Sequence, residues 1–360
     1  MKNFFYPAAA LMVVLTVFAC SSIDLTTDRK SSTSDSRRPS VFHQHEGKIT
    51  IYTSIYMEVG SIIEKTLART FPNCQIEFSY GGTGTIQALI EQQIAEGDRL
   101  GCDILLVAEP SYSMELKEKG LLHPYISGEA SNLAFDYDPQ GYWYPVRVSN
   151  MVLAFNPDRT QRNSIPETFY ALANDANLRG LISMTNPVIS GTSLASVTAL
   201  RDKYGYAYFD ALGRQNVKID SSSVALEKLQ AGEYRMIMVL EEAVLRLREE
   251  ENSRLEVIYP SDGSIVIPST IMIINDKWNA NGNTLTAQAI TDWFLSEEGQ
   301  KEIVSGWMHS VRKDFNIIPY NSVPADRIMQ NSMHVNWENL NNERDEIRSK
   351  FEEAVMYGAR

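Results

Sequence analysis

The sequence predicts an α/β fold of two doubly wound lobes. Strand-like apolar runs at 49–52, 76–80 and 104–107 alternate with helical periodicities, the β-α-β-α-β-α order of a parallel sheet covered on both faces. The same style resumes from 151 to 274. Between the runs lie short loops of Ser, Thr and Gly. In the first lobe, Val59, Ile62, Ile63, Leu67 and Phe71 keep a helical period that Pro72-Asn73 breaks. Ile86, Leu89, Ile90 and Ile94 mark a second helix ended by Gly97. Pro110 opens a third, and Gly120 stops it. In the second lobe, 151–155 is a strand ended by Asn156-Pro157, and 181–184 is a short apolar run. Gly191-Thr192-Ser193 opens a helix carrying Leu194, Val197 and Leu200, and Ser221-Ser222-Ser223 caps another that Gly232 ends. An apolar strand at 236–240 runs into a helix at Glu241-Glu242. Strands at 255–259 and 265–274 flank Pro260-Ser261-Asp262-Gly263, and helices rich in acids and amides follow to the end. No fixed-period repeat points to a solenoid.

Composition bounds the function. The chain has 360 residues, 44% of them apolar, with 33 Lys plus Arg against 45 Asp plus Glu, a formal charge of −12. A nucleic-acid partner is excluded on this reading, because neutralising phosphates needs a clustered basic face and no Lys/Arg run exceeds two.

Residues 1–19 are expected to be a signal peptide. Lys2 is its positive end, and the apolar stretch of 11 residues at 8–18 is too short to span a bilayer comfortably. Val17-Phe18-Ala19-Cys20 resembles a bacterial lipobox, which implies lipidation of Cys20; cleavage near Ala19 without a lipid is the other reading. Either way the chain is exported, and without residues 1–19 its charge is −13. Residues 20–46, with SSTSDSRRPS at 31–40, read as a flexible tether. Cys74 and Cys102 begin strands expected to flank a third, too far apart for a disulfide, so both are expected as buried thiols.

The loops after predicted strands form a constellation: Thr53-Ser54, Gly81 to Thr85, Ser190-Gly191-Thr192-Ser193 and Ser221-Ser222-Ser223. Ligands of open α/β sheets bind outside the carboxyl ends of the strands. Helix N-termini there offer unpaired N–H groups and a positive dipole end, and hydroxyls add donors without fixed charge. Thr53, Ser54, Gly82, Thr83, Gly84, Thr85, Ser190, Gly191, Thr192, Ser193 and Ser222 are therefore candidate ligand-binding residues. Enzyme motifs fail. Gln87 stands where a dinucleotide fingerprint needs its third glycine, and no Gly-Lys-Ser/Thr completes a Walker loop. Ala195 replaces the last glycine of a nucleophile elbow around Ser193. His43, His45, His123, His309 and His334 show no paired zinc spacing beyond the tether. No catalytic residue and no cofactor is expected.

ITIYTS at 49–54, GGTGT at 81–85, CDILLVAEP at 102–110 and GYWYPVRVSNMVLAFNP at 141–157 carry a resemblance. So do NPVISGTS at 186–193, LEKLQAGEYRMIMVLEEA at 226–243 and FLSEEGQ at 294–300. In this order they resemble the type II extracytoplasmic solute-binding proteins of ABC importers, in the group that binds ferric iron, phosphorylated hexoses or phosphonates. The resemblance implies lobe 1 at 47–147, completed by about 275–360, and lobe 2 at 148–274. Hinge strands near 148–155 and 265–274 would join them, and the lobes would close on a ligand.

The ligand is the open question. By resemblance, Tyr56 and Glu109 fall at ferric-ligand positions, but the group's tyrosine pair falls at Glu242-Ala243 and is missing. The hydroxyl loops instead resemble phosphorylated-hexose and phosphonate binders, with Glu109, Glu241 or Glu242 accepting hydroxyl or amine hydrogens. Arg147 is the candidate cation for the phosphate, against a surface pairing. Tyr142, Trp143 and Tyr144 would stack a sugar or pack between lobes. The expected function is capture of a small anionic, phosphate-bearing organic solute and its delivery to a membrane permease driven by an ATPase. The protein would act as a monomer, lipid-anchored in the periplasm or at the cell surface. The alternatives are Fe3+ held by Tyr56, Glu109 and Glu242, an exported hydrolase with Ser193 as nucleophile, and a surface lipoprotein with a degenerate cleft.

Overall fold

The structure is a computed structural model that describes residues 41–358. The expected signal peptide, Cys20 and residues 20–40 of the expected tether lie outside the described residues. Among the described residues no helix is long and apolar enough to cross a membrane.

The first part of the fold is β1 (Gly47–Thr53), α1 (Met57–Thr70), β2 (Cys74–Tyr80), α2 (Thr83–Glu96), β3 (Ile104–Ala108) and α3 (Pro110–Glu118). The second comprises β4 (Tyr144–Phe155), α4 (Phe169–Asn174), β5 (Ile182–Met184), α5 (Gly191–Tyr204), α6 (Ala207–Arg214) and β6 (Lys218–Ile219). It continues with α7 (Ser222–Ala231), β7 (Met236–Leu240), α8 (Glu241–Glu250), β8 (Glu256–Ile258) and β9 (Ile265–Ile273). The chain ends with α9 (Thr284–Leu295), α10 (Glu297–Ser305), α11 (Ala325–Met329) and α12 (Trp337–Phe351).

The strands form one path, β2-β1-β3-β9-β4-β7-β5-β6, with β8 beside β4. The first three are parallel, as are β7-β5-β6. Between these groups run β9 and β4, antiparallel to each other. β4 pairs Tyr144–Met151 with β9 and Met151–Ala154 with β7. These two strands carry the chain across the hinge, so the two-lobe α/β fold read from the sequence is present. All five residues of β3 and all twelve of β4 are buried; burial on both faces explains the apolar run of β3, while the polar residues of β4, Arg147, Ser149 and Asn150, are hydrogen-bonded in the interior. Gly97 and Gly232 end α2 and α7 at φ 76° and 84°, a left-handed turn that glycine adopts without strain.

Three expectations need correction. The tether does not extend to residue 46: Phe42 already packs on Phe71, ring centroids 4.8 Å apart, and Asn73 donates to the His43 carbonyl. The tail does not return wholly to the first lobe. α9 and α10 do so, through Ile290, Trp293, Phe294 and Ile303. α12 instead buries Leu340, Ile347 and Phe351 in the second lobe's core, with Phe351 edge-on to Phe209 at 5.5 Å. Nor is the tail continuously helical. After α10 the chain runs irregularly back to the hinge, where His309 exchanges backbone hydrogen bonds with Val148. β6, two residues long, was missed because so short a segment carries no period. Cys74 opens β2 and Cys102 lies just before β3, the two strands flanking β1, and both are free thiols; Cys102 is buried as expected and Cys74 only half-buried.

Gln300 of α10 locks this frame. Fully buried, it donates to the carbonyls of Val146 on β4 and Phe294 on α9, both at 2.8 Å. Its carbonyl accepts from Ser310 Oγ and the Val311 N–H at 2.8 and 2.9 Å. Gln300→Met keeps the volume but strands these partners at about 1–3 kcal/mol each where no relaxation relieves them. A loss of about 3 kcal/mol is expected, read as a lower urea midpoint at unchanged m-value.

Candidate functional site

A cavity of about 390 Å³ opens between the lobes. Its walls are the starts of four helices. Tyr56, Gly82, Ser190 and Ser221, the N-cap residues of α1, α2, α5 and α7, all line it. Ser190 and Ser221 cap their helices by accepting from the N–H groups of Ser193 and Val224. Tyr56 and Gly82 make no side-chain cap bond. The first turns of α1 and α2 therefore keep N–H groups without a side-chain acceptor, at the positive ends of helices of 14 residues each.

Most of the hydroxyls expected here are here. Ser54, Thr83, Thr85, Thr192 and Ser222 line the cavity with Gly191. Ser54 and Thr83 are oriented by the Ala108 N–H, which donates to both Oγ atoms at 3.0 and 3.2 Å. Tyr56 donates across the cleft to Ser222 Oγ at 3.1 Å. Burial, reinforced by the Glu242 charge, pushes its phenol up to about 12, so it is neutral at physiological pH. Arg147 reaches the cavity floor from β4 and is 1% exposed. Its Nη1 donates to Ser149 Oγ at 3.1 Å, Glu242 Oε1 at 3.3 Å and Met308 Sδ at 3.0 Å, while buried Nε has no partner. Its pairing is thus interior and not at the surface. Burial raises the Glu242 carboxyl above its ordinary range, with Arg147 opposing.

Other candidates lie elsewhere. Thr53 sits beneath the cavity, accepting from the Ile55 N–H. Ser193 Oγ donates to the Thr185 carbonyl at 2.5 Å, so the hydroxyl is already engaged. Glu242 stands behind Arg147, shared with Ser149 Oγ at 2.9 Å. Glu241 turns away, into a buried network with Tyr259 at 2.5 Å, His309 at 3.1 Å, Asn150 at 3.3 Å and Ser322. Glu109 is buried as the N-cap of α3, accepting from the Ser111 N–H at 2.7 Å. Burial raises its carboxyl, and Arg344 and Arg348 oppose that. Its place is outside the cavity lining. Among the described residues no three His, Cys, Asp or Glu side chains converge as metal ligands. Tyr144 gives its hydroxyl to the Tyr125 carbonyl and is packing.

Sequence reasoning missed Glu58, Tyr80, Thr185 and Ile189. Thr185 follows β5 directly, so the rule that found the other loops would have found it. Ile189 is apolar and half exposed, and carries no sequence signal.

The lobes touch at glycines. The Gly84 N–H donates to the Ile189 carbonyl at 3.1 Å. A Cβ on Gly84 would stand 2.1 Å from the Val188 carbonyl oxygen, and one on Gly82 2.4 Å from that of Ile189. One on Gly191 would meet Thr83 at 2.9 Å.

Residues 102–331 match the family described as bacterial extracellular solute-binding protein. Among solved structures the fold is similar to that of the periplasmic binding protein AfuA from Actinobacillus pleuropneumoniae with exogenous fructose-6-phosphate bound. That match has a TM-score of 0.75 and 19% identity over 87% of this chain and 100% of the other. Iron-bound HitA from Pseudomonas aeruginosa matches at 0.73 and 20% over 84% and 99%. A ferric binding protein from Campylobacter jejuni matches at 0.68 and 20% over 85% and 99%. At such identities the likeness is one of fold.

Gly84→Ala puts a methyl group against a backbone carbonyl while favouring α2 by up to about 1 kcal/mol. The expected outcome is an unchanged or higher unfolding temperature with solute affinity weakened about tenfold or more, because the lobes cannot meet. Calorimetric melting and titration calorimetry read the two effects separately.

Proposed function

The chain belongs to the bacterial extracellular solute-binding proteins, and from that premise we propose that it captures a small anionic, phosphate-bearing organic solute. It delivers that solute to an ABC permease and its ATPase, working as a monomer. Lipidated Cys20 and the segment after it tether it to the membrane on the periplasmic or outer side. The protein has no chemistry of its own in this reading.

One observation carries the ligand class: a buried arginine with an unpartnered Nε forms the floor of a cavity walled by four helix N-termini. Glu242 already compensates the guanidinium. The remaining attraction for an anion comes from N–H groups, hydroxyls and helix dipoles, the donor set that suits phosphate oxygens. The binding residues are then Ser54, Tyr56, Gly82, Thr83, Thr85, Arg147, Ser190, Gly191, Thr192 and Ser222. Gly84 and Ser193 act from beside the cavity. The volume lies near the lower end of small-molecule pockets, roughly 300–1,000 Å³, which suits a monosaccharide phosphate.

Ferric iron is the second reading, favoured by Tyr56 at the cavity wall. Of its other two ligands, Glu109 faces away and Glu242 is engaged by Arg147 and Ser149.

Thermal unfolding of metal-stripped protein separates the two. Fructose 6-phosphate at about 100 times its Kd should add roughly 2.7 kcal/mol, a rise of about 4 °C for a chain of this size. Arg147→Lys, which keeps the counter-charge for Glu242, should cut that shift by more than half. A shift with ferric citrate and none with citrate or fructose 6-phosphate, accompanied by a tyrosinate-to-iron absorption band, would replace the phosphate reading with iron.

A further inference from the structure

α12 belongs to one lobe by its apolar face and reaches the other by its charges. Leu340, Ile347 and Phe351 are fully buried in the second lobe, and Glu343 holds Arg201 of α5 at 2.6 Å. The neighbouring face meets the first lobe. Arg344, 6% exposed, pairs its Nη1 with Glu115 of α3 and donates from Nη2 to Ser111 Oγ at 3.0 Å. Its guanidinium carbon lies 5.8 Å from the Tyr112 ring centroid. One turn on, Arg348 Nη2 donates to Gln87 Oε1 of α2 at 3.3 Å.

We infer that α12 is a clasp that holds the lobes closed from outside the ligand cavity, with Arg344 as its positioning residue. The two kinds of contact differ in how they part. Separating Leu340, Ile347 and Phe351 from the second lobe would expose apolar surface at about 25 cal/mol per Å². Separating Arg344 from Glu115 and Ser111 lets water take over the hydrogen bonds, and the net loss is much smaller than the gross interaction. α12 therefore stays with the second lobe and lets go of the first.

The clasp grips the wall of the cavity. Glu109, whose charge Arg344 and Arg348 balance, follows Ala108 directly, and the Ala108 N–H orients Ser54 and Thr83. Between cavity and clasp lies the backbone contact of Gly84 with Ile189. Gly84, Gln87, Glu115, Val188, Arg344 and Arg348 line the groove on its outer side. Opening the clasp and opening the cleft are thus one motion. This inference rests on the two-lobe fold and not on the identity of the solute, so it stands or falls apart from the phosphate reading.

Amide hydrogen exchange of the full chain without solute tests it. In Arg344→Ala, segments 81–89 and 186–190, which meet across the cleft, should exchange about tenfold faster or more, while β1 and α5 keep wild-type protection. The reversed pair, Glu115→Arg with Arg344→Glu, should return most of that protection. Unchanged exchange at 81–89 and 186–190 would overturn the clasp. So would faster exchange in β1 or α5 as well, which would make Arg344 a general stabiliser. Failure of the reversed pair to restore protection, with β1 and α5 still protected, would equally overturn it.

Discussion

The architecture depends on one buried charge pair. Arg147 comes from the strand that crosses between the lobes and Glu242 from the first turn of α8, and both are almost wholly buried. An arginine in that position cannot shed its proton, so it must be met by a carboxylate and further acceptors. Ser149, two residues along the same strand, bonds both members, and Met308 closes the far side. The pair fixes α8 to the crossing strand and, through it, fixes the floor of the cavity. Its neighbour Glu241 faces the other way because successive residues on a helix point about 100° apart. There it collects Tyr259, Ser322, His309 and Asn150. Burial raises the Glu241 carboxyl, but the bonds from His309, Ser322 and Tyr259 outweigh it and hold the group below its ordinary range. One helix start thus serves two separate interior sites, which is why neither acid is left over as a free ligand.

What was legible in the sequence followed from local rules. Runs such as 104–107 and 236–240 are apolar because both faces of their strands are covered, and that holds in any register. The Ser, Thr and Gly loops were legible because capping a helix and lining a strand-end crevice call for the same small polar residues. The acids were not legible. A carboxylate at a strand end reads alike whether it faces a ligand or an arginine, and the arginine that decides the matter for α3 lies 233 residues from Ser111. The lobe of α12 was hidden for a related reason. Its sequence is dominated by charges and amides, and Leu340, Ile347 and Phe351 find their partners only once α5 and α6 are packed.

The glycines show how one residue type carries two messages. In sequence, Gly82, Gly84 and Gly191 mark loops where backbone approaches a ligand. In the structure they are also where the lobes approach each other, at distances that leave no room for a methyl group. Both meanings rest on the missing side chain. Sequence reasoning sees the permission and not the neighbour that uses it.

The nature of these contacts bears on how such a cleft responds to its solute. Across the cleft the lobes meet through a backbone hydrogen bond at Gly84, a phenol–hydroxyl bond from Tyr56 to Ser222, and the charges of α12. Each of these groups is hydrogen-bonded by water when the cleft is open, so closing exchanges bonds and gains little. Met57 and Ile189 at the rim are well exposed although the lobes are in contact. A large apolar seam would shut the lobes irrespective of solute, and the solute would then have nothing to change. A ligand shifts a conformational equilibrium only by its differential affinity for the two states. On the proposed reading, a polar seam of near-balanced energy leaves that difference to the groups inside the cavity, where Arg147 and the four helix starts converge from both lobes.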